Sequence, residues 1–146
     1  MAGDALDAEA IRALAVDWYR KLDVHAPFEE LVPMVADDGL EMLWPEGPTY
    51  GIDGFKGWYD RVIRTFFDET HEVRSVDITH RDGEAEVKIV VNWQAKVWDP
   101  PEPRSRWLGM DARQTWLVRP SEDGQRPVIA RYVVDGLDLM DGSASL

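Results

Sequence analysis

The stretch EAEVKIVVNWQAKVW, residues 84–98, decides the fold: Val87, Ile89, Val91, Trp93, Ala95 and Val97 fall on every second position. A period of two belongs to a strand with one buried face, because successive side chains point to opposite sides of a sheet. Just upstream, Asp82-Gly83 supplies a tight hairpin turn, and His71 to His80 forms the partner strand. Downstream, Leu108, Met110, Ala112, Gln114, Trp116 and Val118 alternate with Asp111, Arg113 and Thr115 in a third strand from Trp107 to Val118. The loop Asp99-Pro100-Pro101-Glu102-Pro103 joins the second and third strands, and Asp123-Gly124 turns the chain into a last one, Val128 to Leu139. The four strands read as an antiparallel meander.

Before Glu69 the period is helical. Ile11, Leu14, Ala15, Trp18, Tyr19 and Leu22 are spaced by threes and fours, which predicts a helix from Ala8 to Lys21. Asp7 caps it, Glu9 suits the positive end of its dipole, and Leu6 with Ile11 forms a staple. A short second helix is predicted from Pro27 to Val35, shortened by Pro33. Leu40 to Trp44 reads as a brief strand stopped by Pro45, followed by a turn-rich connection through Gly47, Pro48 and Gly51. Asp53 then caps a third helix, Gly54 to Phe67. Its broad apolar face of Phe55, Trp58, Tyr59, Val62, Ile63 and Phe66 predicts a helix gripped on several sides. Helices segregated from an antiparallel sheet make this an α+β chain. One domain is expected over residues 1–146, with loose ends at 1–7 and 140–146.

Composition removes several functions. The net charge of −12 repels phosphate backbones and anionic membranes, so no nucleic acid and no membrane is expected as partner. No apolar run approaches the roughly 18 residues of a membrane span, and no signal peptide is visible, so the cytoplasm is the expected compartment. The absence of cysteine excludes a disulfide framework, a thiolate metal site and a catalytic thiol. His25, His71 and His80 are scattered, no glycine-rich phosphate loop follows a strand, and no serine elbow is present; neither a metal nor a cofactor is expected. The seven tryptophans, four tyrosines and four phenylalanines must be buried together or line something.

Four local patterns, in this order, carry a family resemblance: the aromatic helix face at Trp18-Tyr19; Ala36-Asp37-Asp38-Gly39 leading to Trp44-Pro45; Tyr50-Gly51 before Phe55, Trp58 and Tyr59; and His71 with Val73 opening a strand ahead of Asp82-Gly83. The chain resembles the nuclear transport factor 2-like superfamily, in its SnoaL-like and ketosteroid-isomerase-like branch, over about residues 8 to 139. The resemblance implies a cone, the cystatin-like α+β barrel, in which a strongly curved antiparallel sheet wraps a long helix. Two further helices lie near the N-terminus, and an apolar pocket lies inside. It also implies a homodimer paired through the outer sheet face. Relatives include isomerases, polyketide cyclases and dehydratases, and also proteins without assigned chemistry, so fold alone does not fix activity.

Carried over position by position, the resemblance puts the oxyanion-donor tyrosine of isomerases at Tyr19, which also reads as a core aromatic. The isomerase general base falls on Trp44, which cannot accept a proton, so steroid isomerisation is not expected. Gln114 falls approximately on the second oxyanion donor; as the one polar residue on its strand's apolar face, it either orients a ligand or belongs to a structural network. His71 is the remaining proton carrier, or else a solvated residue balancing Asp68, Glu69 and Glu72. Asp135 is a further carboxylate, alternating with Val134. The expected pocket wall is Trp18, Trp44, Trp58, Tyr59, Trp93, Met110, Trp116 and Tyr132. Two functions follow. One is an isomerase, cyclase or dehydratase acting on a small apolar cyclic molecule through Tyr19, His71 and Gln114. The other is a non-catalytic ligand-binding or assembly module, with Trp98 and Trp107 as anchors, or an accessory subunit similar to the small chain of aromatic-ring dioxygenases.

Overall fold

The computed structural model describes residues 5–146. Helix α1 spans Ala8–Asp23, α2 spans Phe28–Leu31 and runs into a 3-10 turn at Val32–Met34, and α3 spans Gly51–Thr65. The strands are β1 Glu41–Trp44, β2 Gly47–Tyr50, β3 Phe66–Arg81, β4 Glu84–Val97, β5 Arg106–Pro120 and β6 Pro127–Leu139. They form one curved sheet in the order β2-β1-β6-β5-β4-β3. Every pairing is antiparallel except β1 with β6, which is parallel and makes the sheet mixed rather than wholly antiparallel. The helices lie against its concave face, so the molecule is the expected α+β cone.

α1 forms as its sequence dictates. Asp7 accepts a hydrogen bond from the Ala10 N–H at 2.7 Å, and the stripe from Ile11 to Leu22 is buried. Trp18 is the hub of the core: its indole stacks on Phe55 at 5.6 Å and meets Trp116 edge-on at 6.1 Å. Ala5 and Leu6, expected within a loose N-terminal end, are buried; residues 1–4 of that expected end lie outside the described residues.

Three boundaries differ from the sequence reading. Residues 47–50, expected as a turn, form β2, hydrogen-bonded to β1 from Glu41↔Tyr50 to Trp44↔Gly47. Pro48 is tolerated because β2 is the edge of the sheet, where no ladder bond is lost. α3 starts at Gly51, three residues before the predicted start; Asp53 sits in its first turn rather than at its cap. Gly51, at φ +71°, makes the abrupt change from strand to helix that glycine accommodates without steric cost. α3 is also less enclosed than its aromatic face suggests: Phe55, Trp58 and Tyr59 are buried, whereas Val62 and Ile63 are half-buried beside a cavity. Phe66 belongs to β3, which begins five residues before the expected His71.

The C-terminal segment, expected as a loose end, folds back along β5. The Met140 N–H donates to the Gly109 carbonyl and the Ala144 N–H to the Trp107 carbonyl, both at 2.9 Å. Gly109 is required beneath this return, because a Cβ there would lie 2.3 Å from the Trp107 ring. Among the described residues no helix is long and apolar enough to cross a membrane.

The inward face of β3 is set by two bulges, between Phe67 and Thr70 and between Val73 and Ser75. Phe66, Glu69, His71, Val73, Val76 and Ile78 are the partly buried positions, so the strict alternation is broken twice. At the first bulge Asp68 takes a left-handed φ of +50°. Continued alternation from Phe66 would have turned Asp68 and Thr70 inward; the extra residue turns Glu69 and His71 inward instead.

Candidate active site

Between the concave face of the sheet, the C-terminal half of α3 and the end of α1 lies a cavity of about 570 Å³. Its wall is mainly apolar, with Leu22, Trp44, Trp58, Phe66, Val91 and Trp93 among its residues. Trp44 and Trp58 form a parallel stack 3.6 Å apart at 4°. The exposed Glu46, Arg61 and Leu146 border the opening. A handful of polar side chains faces this surface: His71, Glu69, Gln114 and Tyr132. That combination, apolar walls with few convergent polar groups, is the usual constitution of a small-molecule site.

His71 is held by Asp23, the last residue of α1. Its Nδ1 lies 2.6 Å from Asp23 Oδ1, and its backbone N–H donates to Asp23 Oδ2 at 3.1 Å. A carboxylate accepts, so Nδ1 carries a proton, and in the neutral ring Nε2 is the nitrogen with the lone pair. Nε2 has no hydrogen-bond partner among the described residues. The ring lies between Tyr19, stacked at 5.1 Å, and Trp93, stacked at 6.0 Å, which fixes its plane. The solvated reading of His71 is therefore excluded: its side chain is 9% exposed and borders the cavity.

Tyr19 does not reach the cavity. It is fully buried and its hydroxyl donates to Gln114 Oε1 at 2.6 Å. Trp116 Nε1 donates to the same oxygen at 3.2 Å. An indole nitrogen can only donate, so the atom between them is the amide oxygen, and the Gln114 NH₂ is left as a donor on a residue that lines the cavity. Burial pushes the Tyr19 phenol well above its ordinary value, with the neighbouring Tyr132 adding to the effect, so Tyr19 stays a neutral donor. Burial likewise pushes Tyr132 up to about 12, against the polar contacts of Trp18, Gln114 and Tyr19. Trp18 Nε1, beside the Tyr132 hydroxyl, is the one buried side-chain polar atom that completes no hydrogen bond among the described residues. The floor of the cavity is thus rich in donors, with Gln114 and Tyr132 at its surface.

A second histidine–carboxylate contact flanks the first. His25, just beyond α1, places Nε2 against Glu69 Oε2, and Trp93 Nε1 donates to Glu69 Oε1 at 3.1 Å. The Glu69 side chain is 7% exposed and that of His25 29%. The Tyr59 hydroxyl donates to the Ala26 carbonyl at 2.5 Å; burial first, then the charges of Glu69 and Glu30, raise it to about 12.

Of the residues singled out in the sequence, His71, Gln114, Trp44, Trp58, Tyr59, Trp93 and Tyr132 line the cavity. Trp18 and Trp116 stand behind its wall as fully buried core, and Met110 belongs to a separate cluster with Val97 and Leu108, so these three do not line it. Asp135 is exposed on the outer face, where it accepts from Thr115 Oγ1 at 2.6 Å. Trp98 is exposed, while Trp107 is half-buried beneath the C-terminal return. Asp23 and Glu69 are the functional candidates the sequence reading did not choose. A signal existed for Asp23: it lies one helical turn after Tyr19, and a carboxylate at a helix C-terminus opposes the dipole. Among the described residues no group of histidines and carboxylates is arranged to hold a metal ion.

No family model matches the chain, and no curated protein matches it in sequence. Solved structures do match in fold. A candidate aromatic-ring hydroxylase from Novosphingobium aromaticivorans is 16% identical, with a TM-score of 0.76 over 90% of this chain and 92% of that one. A candidate scytalone dehydratase from the same organism is 18% identical, TM-score 0.74, over 94% and 88%. A hexachlorocyclohexane dehydrochlorinase from Novosphingobium barchaimii is 15% identical, TM-score 0.73, over 94% and 92%. The fold is that of nuclear transport factor 2-like and cystatin-like proteins.

Proposed function

We propose that this protein is a cofactor-independent enzyme that removes a proton from carbon in an apolar, ring-sized carbonyl compound and expels a leaving group from the adjacent carbon. The observation that carries this reading is the His71 imidazole, its Nδ1 on Asp23 and its Nε2 free beside the cavity. Nε2 takes the proton from the carbon next to the carbonyl. The electron pair of that C–H bond moves onto the carbonyl oxygen, which accepts hydrogen bonds from the Gln114 NH₂ and the Tyr132 hydroxyl. Its return forms the C=C bond and breaks the bond to the leaving oxygen, which departs as water with the proton carried by Nε2. Asp23 stays ionised and holds the imidazolium that exists between the two steps. A positioned base contributes about 10²- to 10⁴-fold, and donors at a developing oxyanion about 10²- to 10³-fold. Two of the fold neighbours are named for eliminations, a dehydratase and a dehydrochlorinase, which supports elimination over isomerisation. Trp44 at the position of the isomerase base supports the same choice.

The test is dehydration of 3-hydroxy-1-tetralone, followed by the absorbance of 1-naphthol. The wild type is expected to exceed the His71→Ala variant at least about 10²-fold; equal rates, with the variant folded, would leave a pocket that binds without reacting. That non-catalytic reading draws on the Tyr19–Gln114 bond, which satisfies the Tyr19 hydroxyl and the Gln114 oxygen without a ligand. We further propose that two copies pair through the outer sheet face, where Val90, Leu117 and Val133 are half-buried on adjacent strands. Light scattering at micromolar concentration should give about twice 16.7 kDa; a mass of one chain would remove the pairing.

A further inference from the structure

The elimination above makes no use of Glu69, yet the fold goes to some length to present it. Its carboxylate is almost wholly buried in an apolar wall, a placement that is unfavourable unless its oxygens are partnered. His25, one member of the pair, and Asp68, immediately before Glu69, both adopt a left-handed backbone at φ +50°. Such conformations persist where the surrounding structure requires them, and they concentrate at functional positions.

A carboxylate offers about four acceptor positions, and two of these are occupied, by Trp93 Nε1 on one oxygen and His25 on the other. The residue itself borders the cavity. The remaining lone pairs add acceptors to a surface whose other polar groups are the Gln114 and Tyr132 donors and the His71 base. Their position along the sheet is also distinct. His71 pairs with Trp93 in the β3–β4 ladder, and Glu69 lies two residues further toward the start of β3. Gln114 pairs with Ile89, which faces Val76, on the other side of His71. The base is thus flanked by a donor group at one side and an acceptor group at the other.

We infer that Glu69 is a specificity residue that accepts a hydrogen bond from a substrate hydroxyl, so the substrate class is a hydroxylated cyclic carbonyl compound, its carbonyl at Gln114 and Tyr132 and its hydroxyl at Glu69. This rests on the carbonyl-binding floor assigned under the proposed function. His25 and Trp93 already stand against this carboxylate, so what remains is acceptor capacity suited to a neutral hydroxyl.

Binding rather than turnover tests it, using tryptophan fluorescence with 1-tetralone and its 5-, 6- and 7-hydroxy isomers as probes. At least one hydroxylated isomer should bind the wild type about tenfold or more tightly than 1-tetralone, the scale of one hydrogen bond to a charged group. Glu69→Gln and Glu69→Ala should bring that ratio to about twofold or less while leaving 1-tetralone itself nearly unchanged. The inference is overturned if no isomer gains, if the gain survives both substitutions, or if none of the ketones binds. The wild-type isomer comparison decides alone should both variants fail to melt cooperatively. A wild type that dehydrates 3-hydroxy-1-tetralone but shows no hydroxyl preference loses the subsite and keeps the elimination, whereas one that shows the preference without dehydration loses the elimination and keeps the subsite.

Discussion

Two histidine–carboxylate pairs join the end of α1 to the start of β3, and they are crossed. In one the acid, Asp23, comes from the helix and the histidine, His71, from the strand; in the other the histidine, His25, comes from the helix side and the acid, Glu69, from the strand. The partners are chemically alike, and what distinguishes them is which member reaches the cavity. On β3 the inward positions are Glu69 and His71, so one pair offers a base and the other an acceptor. In the proposed elimination burial direction assigns the roles: Asp23 orients and stabilises the proton carrier from behind, while His25 partners a carboxylate that would otherwise be costly to bury.

The largest expected difference between the pairs is in turnover. His71→Ala should lower the dehydration rate of 3-hydroxy-1-tetralone about 10²-fold or more, and His25→Ala less than about tenfold; similar losses would mean that the two pairs share one role. Asp23→Asn sharpens the contrast, because an amide can donate to Nδ1 and so place the imidazole proton on Nε2. A drop of about 10²-fold in kcat with little change in ketone affinity is expected, whereas a variant that merely loosened packing would lose affinity as well.

Behind the dyad the comparison turns to stability. Gln114→Leu strands the buried donors of Tyr19 and Trp116 and should lower the unfolding free energy by about 2–4 kcal/mol, while Tyr19→Phe removes one donor and should cost about 1 kcal/mol. Denaturant melts measure both, and equal losses would show that the Tyr19 and Trp116 donors find other acceptors. The smallest effect concerns pH. Tyr59 and Tyr132 each have a folded-state value near 12 against an ordinary 10. Their contribution is complete below pH 10 and is lost as pH rises through 12, so Tyr132→Phe should shift alkaline unfolding toward higher pH in melts run across that window.

The sequence made several of these features legible. Alternation from Val87 to Val97 and from Leu108 to Val118 depends only on which side chains prefer burial, and the strands lie where that preference puts them. Tyr19 and Gln114 are amphipathic or polar residues on apolar faces, an inconsistency visible without coordinates, and the two meet in a hydrogen bond, although Tyr19 does not reach the cavity. Asp23 was not legible as a partner, because it is forty-eight positions from His71 in the chain and only the packing of α1 on β3 brings them together. Glu69 was hidden by the bulge at Asp68, since a pattern of period two carries no mark where one residue is inserted. β2 escaped because glycine and proline signal a turn by local propensity, and only an edge position makes a strand of them.

By itself, then, the chain determined its periodicities: which segments are helices, which are long strands, and that its many aromatic rings must gather on their inner faces. Those follow from local sterics and hydrophobicity, which act over a few residues. Tertiary structure alone decided which face of β3 looks inward, which rings remain behind the wall, and which carboxylate meets which histidine. Those outcomes depend on register shifts and on contacts between distant segments, where a single inserted residue exchanges the inside of a strand for its outside.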